Sequence, residues 1–198
     1  MSTKPFECEA AAARTWWKSL QPREEKGQMI PGDRAAVARL KRCDTALAAA
    51  AEPAVARLLA KLFPDAPRGK RIDMLPRVAA LAAVLAHVKE NGGTGFAQAL
   101  GKPRDGEGST PVLSPVRFKR FQTTRGADET LMSFRRAVLL LNRTADIRDL
   151  ARVLLAWDDD DVGDRTRTIF AFDYHGAGIA APEADPSADP APTSDKDE

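Results

Sequence analysis

The sequence predicts an all-α protein: a single compact bundle of eight or nine helices, followed by a disordered acidic tail. Three observations lead there. Apolar residues recur at helical spacing along most of residues 9–175. No stretch shows the β-branched alternation that a half-buried strand needs. Asp, Ser and Pro stand where helices would start and stop. At 198 residues, 43% apolar and 29% charged, the chain suffices for one helical domain, residues 1–175, and a tail, residues 176–198.

The first helix is expected over residues 9–20, carrying Trp16, Trp17 and Leu20 and ending at Gln21-Pro22. Asp33 can cap a second helix running to about Ala50, with Leu40, Cys43 and Leu47 on one face and Arg34 and Lys41 on another. Pro53 suits a first helical position and opens a third helix, AVARLLAKLF, stopped by Pro64 and Pro67. From Asp73 to Lys89, with Asp73 as cap and Pro76 in the first turn, Val78, Leu81, Leu85 and Val88 form one stripe of a central buried helix. His87 falls on its alanine side and reads as a packed residue. Residues 91–114 hold six glycines and read as a long mobile loop, with room for one helical turn at Phe96–Leu100.

Ser114-Pro115 then starts a helix, VRFKRFQTT, and Ala127 or Asp128 starts another, DETLMSFRRAVLLLNR. The last two are IRDLARVLLAW, striped by Leu150, Val153, Leu154 and Trp157, and DRTRTIFAFDYH, anchored by Ile169, Phe170, Phe172 and Tyr174. From Gly176 onward there are four prolines, no aromatic residue, and small residues alternating with acids. Such a segment cannot bury enough apolar surface to offset its ordering entropy.

Several function classes are disfavoured. No run approaches the ~18 apolar residues of a membrane span, and the N-terminus lacks a signal-type apolar core. A soluble, cytoplasmic protein with no membrane partner is expected. Cys8 and Cys43 form no CxxC pair and read as free thiols; His87 and His175 have no ligand at metal-binding spacing. Asp158 to Asp161 lacks EF-hand spacing and reads as a capping link between helices. Gly92, Gly93 and Gly95 follow no strand and precede no GK[ST], so they are not a phosphate-binding loop. With no nucleophile elbow and no HExxH, neither an enzyme nor a cofactor is expected.

Charge is the positive signal. The net +2 conceals a body, residues 1–157, with 27 Lys/Arg against 16 Asp/Glu, and an end, residues 158–198, with 3 against 12. A domain so basic attracts polyanions, because each neutralised phosphate releases condensed counterions. The densest region, residues 117–143, holds Arg117, Lys119, Arg120, Arg125, Arg135, Arg136 and Arg143 against Asp128 and Glu129. On the helix from about residue 127, Leu131, Phe134, Val138 and Leu141 share a face and Arg136 and Arg143 point away from it. Arg125 precedes the helix start, where backbone N–H groups favour an anion, so a phosphate could be held from both sides. Arginine's planar fork suits that work. Phe118 and Phe121 read as core more readily than as base-stacking platforms. Individual arginines also have local alternatives, such as pairs of Arg143 with Asp146 or Arg152 with Asp149.

These residues resemble a family, the small CasB-type subunit of the type I-E CRISPR Cascade surveillance complex, over roughly residues 10–175. The resemblance is carried by Trp16-Trp17, Leu40-Lys41-Arg42, Arg120-Phe121-Gln122 leading to Arg125-Gly126-Ala127-Asp128, Phe134-Arg135-Arg136-Ala137-Val138, Trp157, and Phe170-Ala171-Phe172-Asp173-Tyr174. The glycine-rich loop and the acidic tail depart from it. It implies a non-enzymatic helical subunit that meets the backbone and large Cascade subunits, the guide RNA and target DNA, and a second copy of itself, head to tail. It implies stabilisation of the R-loop by a basic surface. By that similarity Lys41, Arg42, Arg125, Arg135 and Arg136 are nucleic-acid-binding positions; Arg117, Lys119 and Arg120 join them on charge density.

Two other readings fit the same cluster: a helix-turn-helix-like regulator of duplex DNA, and a helical scaffold binding only proteins. For the tail, an inert solubilising extension and a transient fold-back on the basic body both stay open.

Overall fold

The computed structural model describes residues 5–177 except Lys26 and residues 104–109. The tail from residue 178 lies outside the described residues, as does the centre of the glycine-rich stretch. The elements are α1 (Glu7–Leu20), β1 (Arg23–Glu25), β2 (Gln28–Ile30), α2 (Arg34–Arg42), α3 (Ala46–Ala50), α4 (Pro53–Leu62), α5 (Arg68–Leu85), β3 (Glu90–Asn91), α6 (Phe96–Gly101), α7 (Pro115–Gln122), α8 (Ala127–Leu140), β4 (Thr144–Ala145), α9 (Ile147–Trp157) and α10 (Gly163–Gly176). The fold is all-α, as its periodicity predicts.

The central helix is α5, buried all round from Val78 to Leu85 and packed against α3, α4, α8 and α9. Around its far side an aromatic cluster ties α6, α7, α8, α9 and α10 together. Phe134 meets Phe96 at 5.8 Å, Phe121 at 4.8 Å and Trp157 at 5.2 Å between ring centroids. Phe170 meets Phe121 at 5.4 Å and Trp157 at 5.3 Å. The Trp157 indole N–H, buried with them, donates to the Thr124 carbonyl at 3.2 Å, so the ring is buried without an orphaned donor.

The local start signals act as their chemistry requires. The Asp33 carboxylate accepts from the Ala36 N–H at 2.9 Å, and Pro53 and Pro115 occupy first-turn positions of α4 and α7.

Four expectations need correction. The second helix does not run to Ala50: it breaks at Cys43–Asp44, and Thr45 caps a separate α3 through the Ala48 N–H. Leu47 is therefore exposed, not core. Neither Asp73 nor Pro76 starts the central helix; α5 begins at Arg68 and carries Pro76 inside it. Burial of Met74 and Val78 on either side holds the helix through a residue that by itself disfavours it. Ile169 and Phe172 face outward, and the anchors of α10 are Phe170 and Tyr174. Strands do occur: an antiparallel hairpin, β1–β2, and a parallel pair, β3–β4. Segments of two or three residues are too short for alternation to register.

Within the glycine-rich stretch, α6 buries Phe96 and Leu100. Its last residue, Gly101, lies against α10 so closely that a Cβ there would stand 2.0 Å from the Tyr174 carbonyl oxygen. This glycine serves close approach of two backbones.

Candidate nucleic-acid interface

Helix α7 buries Phe118 and Phe121, one helical turn apart. That spacing turns Arg117, Lys119 and Arg120 outward, and all three are exposed. Helix α8 buries Leu131, Phe134, Ala137 and Val138, which leaves Arg136 exposed on the opposite side. Between the two helices runs a groove of about 430 Å³ with an apolar floor that includes Leu113, Phe121 and Leu140, and with Arg117, Arg120 and Arg136 along it. A second hollow of about 400 Å³ shares Arg120 and Arg136 but is bordered by Asp128 and Glu129. The charged side chains lining the first are all cationic, whereas the second mixes cations with the two carboxylates.

Other described cations, such as Arg34, Arg68 and Arg165, also lack a carboxylate partner among the described residues; what sets Arg117, Arg120 and Arg136 apart is that they line one groove. Elsewhere, carboxylates hold Arg39 (2.7 Å to Glu52), Arg77 (2.7 Å to Asp159) and Arg152 (2.6 Å to Asp149). Among the described residues, Arg42, Arg117, Lys119, Arg120 and Arg136 have no ion-pair partner. Arg42 is exposed at the end of α2, apart from the groove.

A second cationic set forms around Lys41. Burial, and then the charges of Arg143 and Lys89, pull its ammonium below the ordinary lysine value. Arg143 is held there in the left-handed backbone region, φ 66°, while its carbonyl accepts from the Lys89 N–H at 2.8 Å and the Glu90 N–H at 3.3 Å. Sequence reasoning missed Lys89, because three distant parts of the chain, α2 and the connections before β3 and β4, supply this set; the sequence signal that existed was Arg143 in the basic run. The expected Arg143–Asp146 pair is not formed: Asp146 instead caps α9 through the Arg148 and Asp149 N–H groups. The expected Arg152–Asp149 pair is formed.

His87 lies beside this set, and neither ring nitrogen has a protein hydrogen-bond partner. Burial, then the charges of Arg135, Lys41 and Arg143, lower its pKa to about 4, and the pull of the Lys41 backbone in the other direction is smaller. A histidine whose folded pKa lies below its unfolded value contributes stability that is complete above the unfolded pKa. That stability is lost as pH falls towards the folded one. Stability is therefore expected to fall between pH 6.5 and 4, and in His87→Gln this part of the pH dependence should flatten in urea titrations. Equal pH profiles would contradict it.

Two candidates are placed differently from the rest. Arg135 is 9% exposed, donates to the Cys43 carbonyl and reaches the Asp44 carboxylate at 3.3 Å. It fixes the break between α2 and α3 and presents no free fork. Arg125 is exposed, but its guanidinium turns back to the carbonyls of Gln122 at 3.0 Å and Thr124 at 2.8 Å. The start of α8 beside it is no phosphate cradle either. Asp128 and Glu129 occupy the first turn, Glu129 accepting from the Arg125 N–H at 3.4 Å and Asp128 from the Ala46 N–H at 2.6 Å.

The turn itself depends on Gly126, at φ 74° and ψ 155°. That conformation is almost confined to glycine, and a Cβ would meet nothing within 4 Å, so the whole cost of a side chain is backbone strain. Gly126→Ala is expected to lose about 1–2 kcal/mol in chemical denaturation. An unchanged midpoint would contradict the assigned backbone.

Phe118 and Phe121 are core residues, at 5% and 4% exposure, and offer no face to a base. In the Asp158–Asp161 run, Asp158 accepts from the Thr130 hydroxyl at 2.8 Å and Asp159 from the Asp161 and Val162 N–H groups. The run links α9 to α10 but does not cap α10 as expected: the N-cap of α10 is Val162, with no side-chain cap, and Asp159 instead holds the turn and pairs with Arg77. Among the described residues no three His, Cys, Asp or Glu side chains gather to hold a metal ion, and no helix is long and apolar enough to cross a membrane.

The family profile described as CRISPR-associated protein Cse2 matches residues 36–175. The match includes α7, α8 and the Lys41 set, and leaves out α1 with Trp16 and Trp17. The same comparison against curated proteins and against solved structures finds no match.

Proposed function

Because the chain belongs to the CRISPR-associated Cse2 family, and is thus a structural subunit of a Cascade complex of CRISPR defence, we propose that its α7–α8 groove binds nucleic-acid backbone without sequence preference and stabilises the R-loop. The observation that carries this reading is the convergence of Arg117, Arg120 and Arg136, none of them ion-paired among the described residues, on one groove. R-loop formation exchanges a DNA duplex for a heteroduplex of similar stability, so a few phosphate contacts can tip it. Guide pairing supplies the sequence, and the protein needs only charge. Lys41 with Lys89 and Arg143 offers a second phosphate contact, and Arg42 and Lys119 add to the field. No bond is made or broken by this chain. The guide RNA, the target DNA, the backbone and large subunits and a second, head-to-tail copy are its proposed partners, in the cytoplasm.

Asp128 and Glu129 weigh against a helix-turn-helix reader, because they stand at the start of α8, where base edges would be met. The test is an assembled complex carrying Arg117→Gln, Arg120→Gln and Arg136→Gln. Permanganate footprinting should show fewer open thymines on a matched target at equal complex concentration. Equal opening would overturn the reading, and a protein-only scaffold would then account for the fold.

A further inference from the structure

We propose that the acidic segment 178–198 docks in the α7–α8 groove when no nucleic acid is present and competes with it for that site. This rests on reading the groove as a polyanion surface. The segment carries Glu183, Asp185, Asp189, Asp195, Asp197 and Glu198 against Lys196 alone. Its net charge is −5 over 21 residues, and the groove arginines have no carboxylate partner among the described residues.

The place where the segment begins adds a geometric reason. Helix α10 ends at Gly176. Just before that end, the Tyr174 ring stacks on Phe118 at 3.8 Å and its hydroxyl donates to the Leu113 carbonyl at 2.5 Å. Leu113 belongs to the groove floor, and Phe118 lies between Arg117 and Lys119 on α7. The described chain therefore ends against α6, with the Tyr174 side chain reaching from there to the groove residue Leu113. Helix α7 itself is only about 12 Å long at 1.5 Å per residue, whereas a chain of this segment's length spans roughly 25 Å even as a coil. Tethering at such short range gives a local concentration on the order of millimolar, so weak ionic contacts suffice for substantial occupancy. Docking of this kind is electrostatic and is released by salt or by a polyanion of higher charge density.

The test compares the full chain with one ending at Ala177, and maps the segment directly. A nitroxide on Ser187→Cys, in a Cys8→Ser background, should broaden the amide signals of Arg117, Arg120 and Arg136 at low salt. Single-stranded DNA should restore them. The shortened chain should bind single-stranded DNA about tenfold more tightly at low salt, with the difference closing as salt rises. Broadening elsewhere or nowhere, broadening only between a labelled and an unlabelled chain, or equal affinity of two chains that both bind would each overturn the proposal. If neither chain binds DNA, the proposed function fails, while the broadening map still decides whether the segment docks.

Discussion

Replacing Arg117, Arg120 and Arg136 together by glutamine is expected to weaken single-stranded DNA binding by the isolated chain between about tenfold and a hundredfold at low salt. Its fold should be unchanged. All three side chains are exposed and have no ion-pair partner among the described residues, so their removal orphans no described buried group. Glutamine keeps part of the stem that covers the groove floor. Losing three phosphate contacts should also flatten the slope of log affinity against log salt by about 2, at about 0.7 per contact. Fluorescence anisotropy across a salt series, beside a thermal melt, checks both parts. Wild-type affinity in the triple variant would remove the groove from the account, and a lowered melting temperature would mean that these arginines support the fold.

The neighbouring arginine should behave in the opposite way. Arg135→Ala is expected to cost about 2–4 kcal/mol of stability, a fall of roughly 5–12 °C in melting temperature, with little change in the affinity of the folded molecule. Its guanidinium is buried, bonded to the Cys43 carbonyl and paired with Asp44. Without it the carbonyl at the corner between α2 and α3 loses a charged donor. Asp44 is 84% exposed and can hydrate, which keeps the loss below that of a fully buried pair. Arg135→Lys should not recover it, because a single ammonium cannot reproduce the two-point fork. An Arg135→Ala protein that melts like the wild type but binds DNA poorly would make Arg135 an interface residue after all.

Adjacent residues with opposite fates show where sequence reasoning reaches its limit. Helical periodicity alone puts Arg136 opposite Phe134 and Val138, and the structure leaves it exposed. Arg135 entered the site through family resemblance and local charge, and its partners, Cys43 and Asp44, lie more than ninety positions earlier. The same non-local contact fixes the break between α2 and α3, which the apolar pattern of residues 34–50 conceals.

Signals that act within one turn were legible: the Asp33 cap, Pro53 and Pro115 at helix starts, and the Phe118–Phe121 spacing that fixes the outer face of α7. Where packing outweighs a local signal, the reading failed. Pro76 persists within α5 because Met74 and Val78 on either side are buried, and Phe172 points outward although an aromatic residue there suggests an anchor. The Lys41, Lys89 and Arg143 set needs the fold to bring α2 and two distant connections together, so no spacing in the sequence could announce it.

The most direct measurement is the salt dependence of single-stranded DNA binding by the isolated, unaltered chain, made with several unrelated oligonucleotides. A straight line of log affinity against log salt is expected, with a slope between about −2 and −4 and the same for every oligonucleotide. A slope of zero, or binding confined to one sequence, would contradict the account.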